Sequence, residues 1–261
     1  MPVPDRPLRP VRTHPDLLGL TRDDPFVRWA VPDPFEGAVL AGTGAVAVER
    51  QSTHRHGLWL IPLPAGGTSP ADGLADLLTG LREEGHVARL GVGSLSIPQP
   101  YAAVLAAHFD LAGGGEWDFM WTTSAPASRP GEAALQELDD AADAEELAVF
   151  SAEHSPTAEG EPGTGRTVLW LGLRGADGAL LAAGGMQRLS SGAPHLAGIV
   201  VHGAHRGRGL GAAITAALTR RALAGHGVCT LGVYSANATA LSLYRRLGYR
   251  TAYPWHSRRL A

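Results

Sequence analysis

HLAGIVVHGAHRGRGLGAAITAALTRRALAG, residues 195–225, decides how this chain is read. An apolar run of strand type ends at Val201. A turn of glycines and arginines follows, and then an Ala/Leu segment of helical type that Gly225 is expected to close. Glycines let a backbone turn its N–H groups inward with no Cβ in the way, and a helix start adds unpaired donors and partial positive charge. Such a turn suits a pyrophosphate. An ATP-binding loop of the Gly-Lys-Ser/Thr kind is excluded, because the chain has no Lys. Gly207, Gly209 and Ala212 nominally satisfy the dinucleotide pattern G-x-G-x-x-A. That reading needs an acid about twenty residues on, and no acid follows Asp177. It also needs its first glycine at the strand end, whereas five residues separate Val201 from Gly207. The spacing that remains is Arg-x-x-Gly-x-Gly, from Arg206, Gly209 and Gly211.

Outward from the loop, residues 167–175 and 178–189 read as strands joined by a tight turn at Asp177-Gly178, and residues 228–235 as another strand. Residues 237–248 read as a helix, and 132–154 as one long helix opening this half of the chain. In the other half, a hairpin turns at Gly42–Gly44 and "GLWLIPLP" is a strand. Leu74, Leu77, Leu78 and Leu81 mark a helix, "HVARLGVGS" a buried strand, "PYAAVLAAHFDL" a short helix and "EWDFMWTT" a closing strand. The pentapeptides "LGVGS" (90–94) and "LGVYS" (231–235) sit in similar flanking order, which suggests two copies of one α/β domain. The expected organisation is an extended lead-in (1–34), a first domain (35–125), a linker (126–131) and a second domain (132–261).

Net charge is −3, so no global attraction to nucleic acid or membrane is expected. The start of the chain lacks a signal-peptide core and no run reaches transmembrane length, so a cytoplasmic location is the expectation. A single cysteine, Cys229, excludes a disulfide framework and a cysteine zinc site. Charge is laid out unevenly. Residues 132–161 carry ten acids and no Arg, whereas the stretch after Asp177 carries ten Arg and no acid. Either the two blocks neutralise each other across the fold, or they serve an anionic and a cationic ligand.

Two segments together carry a family resemblance. Arg206, Gly209 and Gly211 match the pyrophosphate loop of the GNAT superfamily of N-acetyltransferases, and Asn237, Ala240, Tyr244, Gly248 and Tyr249 fit its Asn-x-x-Ala-x-x-x-Tyr-x-x-x-Gly-Phe/Tyr helix. The resemblance covers roughly residues 131–261 and is closest to tandem-domain members. It implies an α/β fold of two tandem GNAT-like domains, each a mixed, mostly antiparallel sheet flanked by helices. It further implies acetyl-CoA as cosubstrate, no metal, and an amine acceptor that is a small molecule or a protein, in a monomer or homodimer. The loop residues Arg206, Gly207, Arg208, Gly209, Leu210, Gly211 and Ala212 would hold the phosphates. Ile199, Val200 and Val201 would hold the pantetheine and carbonyl through their backbones, with Asn237 and Tyr244 completing the cofactor side. The first half departs from the pattern: "PLPAGGTSPAD" lacks the motif, its Pro62, Pro64 and Pro70 stiffen the turn, and Asp72 and Asp76 would repel phosphate. No cofactor is expected there.

The resemblance places Tyr244 where the family has its acid for the leaving thiol, whose ordinary pKa is about 8.5 against about 10 for tyrosine. Ala240, Leu243, Tyr244 and Leu247 also form a helical stripe, so a core role competes with the acid role. The base is less defined. The family's glutamate positions fall on Gly232 and His195, and His195 is the candidate, against the alternative of a strand-end histidine bonded to backbone. Glu153, His154 and Glu161 are candidates for the acceptor side, and His202 and His205 read as surface histidines beside the phosphates. Direct acetyl transfer in a ternary complex is one reading, and a non-catalytic CoA-binding regulatory module is another. A nucleic-acid binder would need an aromatic platform that the scattered arginines lack.

Overall fold

A short strand, β1 (Arg9–Pro10), leads into two helices, α1 (His14–Thr21) and α2 (Pro25–Ala30), where the sequence predicts extended chain. Pro15 and Pro25 do not break these helices, because both stand at first-turn positions, where a missing N–H costs nothing. Thr13 and Asp24 cap the two helices by accepting first-turn N–H groups. The computed structural model describes residues 7–51, 56–64 and 67–261, so the expectations for residues 1–6 and 65–66 lie outside the described residues.

The chain divides into two units, Met1–Phe119 with Tyr234–Ala236 and Ala252–Ala261, and Met120–Val233 with Asn237–Thr251. The first contains β2 (Val39–Ala41), β3 (Ala45–Arg50), β4 (Gly57–Pro62), α3 (Pro70–Glu83), α4 (His86–Leu90), β5 (Ser94–Pro98), α5 (Ala102–His108) and most of β6 (Leu111–Thr122). Strands β1 to β4 pair antiparallel in sequence order, and β5 then runs parallel to β4, with Leu58 opposite Leu95. The spacing of Leu74, Leu77, Leu78 and Leu81 predicts the α3 helix, and all four are fully buried against β3, β4 and β5. Phe26 of α2 is fully buried too, edge-on to Trp59, Phe119, Tyr253 and Trp255 at 4.9–5.8 Å. "HVARLGVGS" does not form one strand. Left-handed Gly85 and Gly91 bracket the short helix α4, and the strand starts only at Ser94.

The second unit contains β7 (Gln136–Leu138), α6 (Ala144–His154), β8 (Thr167–Arg174), β9 (Leu180–Arg188), β10 (Pro194–Val201), α7 (Leu210–His226), β11 (Cys229–Tyr234, to Val233) and α8 (Ala238–Arg246). Strands β7 to β10 pair antiparallel in order, and β11 runs parallel to β10. The long helix expected over 132–154 is broken. Asp139 accepts the N–H groups of Ala141 and Ala142, Asp143 accepts that of Asp139, and these local bonds replace helical ones. Helix α7 runs through Gly225 and ends at left-handed Gly227.

The two units share an order of elements: an antiparallel pair of strands and its neighbour, a helical segment, a strand parallel to the last of the antiparallel strands, then a helix. The pentapeptides do not mark it, since "LGVGS" straddles the end of α4 and the start of β5 while "LGVYS" lies along β11. The final strand, β12 (Arg250–Leu260), pairs antiparallel with β5 and so completes the first unit from the far end of the chain. Met120, from the end of β6, is fully buried in the second unit's core. The expected linker, 126–131, lies inside the second unit, where Arg220 donates to the Pro126 carbonyl.

Two ion pairs join the charge blocks within the second unit, Glu132 with Arg220 and Glu137 with Arg221, whereas Asp143 and Glu146 pair with Arg174 and Glu161 with Arg166, arginines that precede Asp177. Burial opposes ionisation of Glu132, but its bonds to Arg220, the Arg129 N–H and Ser128 outweigh that and lower its pKa.

Candidate functional site

Strand β10 changes face halfway along. Its register against β9 shifts between Ala197 and Val200, with Gly198 in the left-handed region at φ 63°. Before the bulge Leu196 enters the core shared by α7 and α8. After it, Ile199 and Val201 pack on that core, while Val200 turns to the opposite one with Leu147, Phe150 and Trp170. The ladder to β11 joins His195 to Thr230 and Leu196 to Leu231, and β10 continues five residues beyond it.

A glycine is required at the bulge. A Cβ on Gly198 would come within 2.9 Å of the Gly160 Cα and 3.0 Å of the Trp170 ring. Gly160 is fixed from the other side, because its carbonyl accepts from the Thr167 hydroxyl at 2.9 Å and the Gln187 amide at 3.0 Å. Trp170 is buried and donates its indole N–H to Asp140 at 2.8 Å. The bulge thus rests on a rigid floor. The sequence reading missed Gly160, Trp170 and Gln187. A glycine inside the strand pattern "HLAGIVV" was the one available signal, since such a glycine marks a bulge or a close approach.

Beyond Val201, a short turn spends the N–H groups of His205 and Arg206 on the carbonyls of His202 and Gly203. From Gly207 through Ala212, no backbone N–H has an acceptor among the described residues. Gly207 at φ 76° and Gly209 at φ 82° provide the left-handed turns that bring these groups to the start of α7. That helix has no side-chain cap and no acid in its first turn, unlike α3, where Ser69 accepts the Asp72 N–H and Asp72 adds negative charge. The α7 start is therefore an open cradle of donors with the partial positive charge that suits an anion. The structure brings Gly207, Arg208, Gly209, Leu210, Gly211 and Ala212 together there. Arg208 is exposed and forms no ion pair or hydrogen bond among the described residues. Arg206 donates instead to the carbonyls of Val201 and His154.

The other candidates are distributed around this cradle. Asn237 caps α8, its side-chain oxygen accepting the Ala240 N–H at 3.0 Å. Tyr244 is buried in the α7–α8 core, and desolvation pushes its phenol up to about 12. Its hydroxyl has no hydrogen bond among the described residues, so its place in the helical stripe leaves that proton without an acceptor there. The Thr230 hydroxyl donates its one proton to the Pro194 carbonyl at 2.8 Å, so the His195 Nδ1–H donates to Thr230 at 2.9 Å. Desolvation lowers the His195 imidazole to about 4. It is neutral at pH 7, with Nε2 as the deprotonated nitrogen.

Of the acceptor-side candidates, Glu153 and His154 line a groove of about 600 Å³ along α6, with Glu145, Glu146, Val149, Phe150 and His202. Glu161 pairs with Arg166 away from it. The His154 ring lies 4.2 Å from that of His202, which in turn lies 5.2 Å from His205. No group of three His, Cys, Asp or Glu among the described residues is arranged to hold a metal ion. No helix among them is long and apolar enough to cross a membrane.

Residues 168–251, which run from β8 through α8 and contain the bulge and the cradle, match the family model described as Acetyltransferase (GNAT) domain. A GNAT acetyltransferase domain thus occupies that span. No curated protein matches the chain in sequence. Solved structures share its fold. A GNAT-family protein from Novosphingobium aromaticivorans is 21% identical, with TM-score 0.51 over 81% of this chain and 89% of its own. An acetyltransferase of the GNAT family from Colwellia psychrerythraea is 15% identical, with TM-score 0.54 over 98% of this chain and 100% of its own. A GCN5-related N-acetyltransferase from Kribbella flavida is 16% identical, with TM-score 0.52 over 94% of each chain.

Proposed function

We propose that this chain is an acetyl-CoA-dependent N-acetyltransferase acting by direct transfer to an amine in a ternary complex. The observation that carries the reading is the row of open N–H groups from Gly207 to Ala212 at the uncapped start of α7. It fits a pyrophosphate, and acetyl-CoA supplies both that group and an activated acetyl thioester. Backbone groups of Ile199, Val200 and Val201, at and beyond the bulge, position and polarise the carbonyl. Donors fixed in advance at such a point give electrostatic help that is often the largest catalytic contribution.

Tyr244 supports the leaving sulfur. With a pKa of about 12 its phenol stays protonated throughout the physiological range. Full proton transfer to a thiolate of pKa about 8.5 would be uphill by about 5 kcal/mol, so Tyr244 acts chiefly by donating a hydrogen bond as negative charge builds on sulfur. His195 receives the amine proton at Nε2 through water, because its Cα lies three strand residues, about 10 Å, before the bulge. An imidazole of pKa about 4 is too weak to deprotonate a free ammonium, so the amine must arrive neutral and lose its proton only after attack raises its acidity.

That same low basicity favours the second reading, a CoA-binding module without turnover. The two readings share the cradle and differ at His195. We further propose that the first unit is a degenerate copy of the same domain that takes no cofactor. Its shared element order and the capped, acidic start of α3 support this. The protein would be cytoplasmic, a monomer or homodimer, and would bind neither nucleic acid nor membrane.

Calorimetric titration of acetyl-CoA tests the proposal. One site per chain is expected. Two sites would refute the reading of the first unit, and none would refute that of the loop. Binding with no acetylation across a broad amine panel would select the non-catalytic module.

A further inference from the structure

The two arginines of the loop are placed for different work. Arg208 is exposed and has no partner among the described residues. The Arg206 guanidinium is turned away from the start of α7. Its Nη2 donates to the carbonyl of His154, the last residue of α6, and its Nε donates to the Val201 carbonyl at 3.4 Å. One side chain therefore joins the end of α6 to the end of β10. Ring contacts flank this joint, with the His154 ring tilted 4.2 Å from that of His202 and edge-on 4.9 Å from that of Phe150.

Electrostatics gives this joint a purpose. The last carbonyls of a helix carry partial negative charge, and the first N–H groups partial positive charge. Arg206 brings the negative end of α6 close to the loop that precedes the positive start of α7. Left bare, those carbonyls would oppose an anion at the α7 start. A guanidinium bonded to one of them offsets that field and fixes the last turn at the same time.

We propose that Arg206 is a positioning residue, clamping and neutralising the end of α6 beside the loop, and that Arg208 alone supplies the side-chain charge that meets the phosphates. The second half of this statement rests on the acetyl-CoA reading, whereas the first does not. Arg206 acts on the cofactor through the loop backbone. Its loss therefore loosens α6 and weakens binding, yet leaves the number of charges meeting the ligand unchanged.

The experiment has two arms on the full chain. Amide hydrogen exchange without ligand compares wild type, Arg206→Gln and Arg208→Gln. Calorimetry with acetyl-CoA at about 50 and 200 mM NaCl then compares the same proteins, where screening reports the charge contacts. Arg206→Gln is expected to speed exchange in residues 151–155 and to weaken binding roughly tenfold, with wild-type salt dependence. Arg208→Gln is expected to leave exchange there unchanged and to flatten the salt dependence. Arg206→Lys keeps the charge but not the two-point fork, so it should reproduce part of the faster exchange. It also serves if Arg206→Gln does not fold. Unchanged exchange at 151–155 in both Arg206 variants would overturn the clamp. A salt dependence flattened by Arg206→Gln would overturn the division of roles. Failure of wild type to bind acetyl-CoA would sink the cofactor reading, and the exchange arm would still decide the clamp.

Discussion

Replacing Gly198 by Ala tests the floor beneath the β10 bulge. The new Cβ would meet the Gly160 Cα at 2.9 Å and Trp170 ring atoms at 3.0 and 3.2 Å. The Gly160 backbone cannot withdraw without losing its bonds to Thr167 and Gln187. Two costs add. Holding a non-glycine residue at φ 63° costs about 1–2 kcal/mol, and overpacking of this kind costs about 1–3 kcal/mol. A loss of about 2–5 kcal/mol is expected, a large share of an ordinary stability of about 5–15 kcal/mol. Gly192→Ala separates the two costs, since Gly192 has φ 83° with nothing within 4 Å of its would-be Cβ. Urea unfolding should therefore show only the conformational cost, about 1–2 kcal/mol, at Gly192 and at least 1 kcal/mol more at Gly198. Acetyl transfer should fall further in Gly198→Ala than stability alone explains, because the donors at Ile199 to Val201 move. Equal destabilisation of the two variants, with wild-type kcat/KM at Gly198→Ala, would refute the floor.

Other outcomes follow from buried groups. Tyr244→Phe should lower kcat roughly 10- to 100-fold with acetyl-CoA affinity unchanged. Its stability should change little because the hydroxyl has no partner among the described residues. A wild-type kcat would leave Tyr244 a core residue only. His195 titrates at about 4 in the folded chain and about 6.5 unfolded, so between those values the unfolded state binds more protons. Its contribution is present above pH 6.5 and lost as pH falls toward 4. The loss is up to about 3 kcal/mol, and a pH series of urea midpoints should show it in wild type and not in His195→Gln. Cys229 is buried, with its thiol pushed up to about 12 by desolvation, so iodoacetamide should leave the native protein unmodified and label it once in urea. Labelling of the native chain at the rate of a free thiol would show that this core opens.

The features legible in the sequence were those that a few neighbouring residues settle among themselves. The apolar spacing of α3, the strand before the loop and the absence of any acid after Asp177 needed no distant partner to be read. The early helices were missed although their signals, Thr13 and Asp24 before Pro15 and Pro25, are local. Proline interrupts a helix interior but starts a helix at its first turn, and only the position tells the two apart. The misjudged helix over 132–154 has the same character, because Asp139 and Asp143 compete for backbone N–H groups that a count of helix formers ignores.

The remainder was decided only by tertiary structure. Whether the acidic and basic blocks serve ligands or each other could not be read locally, because Glu132 and Arg220 lie 88 residues apart in sequence. Equally remote is the packing of Gly160 on Gly198, which converts a tolerated glycine into a required one. The same holds for β12, whose residues complete the sheet of the first unit from the end of the chain. In the motif itself, sequence determined that residues 207–212 leave backbone donors suited to an anion, because glycine and a helix start do this wherever they occur. It could not determine that Arg206 faces the end of α6 and Arg208 does not. Side-chain direction depends on which acceptor the fold brings within reach, and that acceptor is a carbonyl 52 residues earlier in the chain.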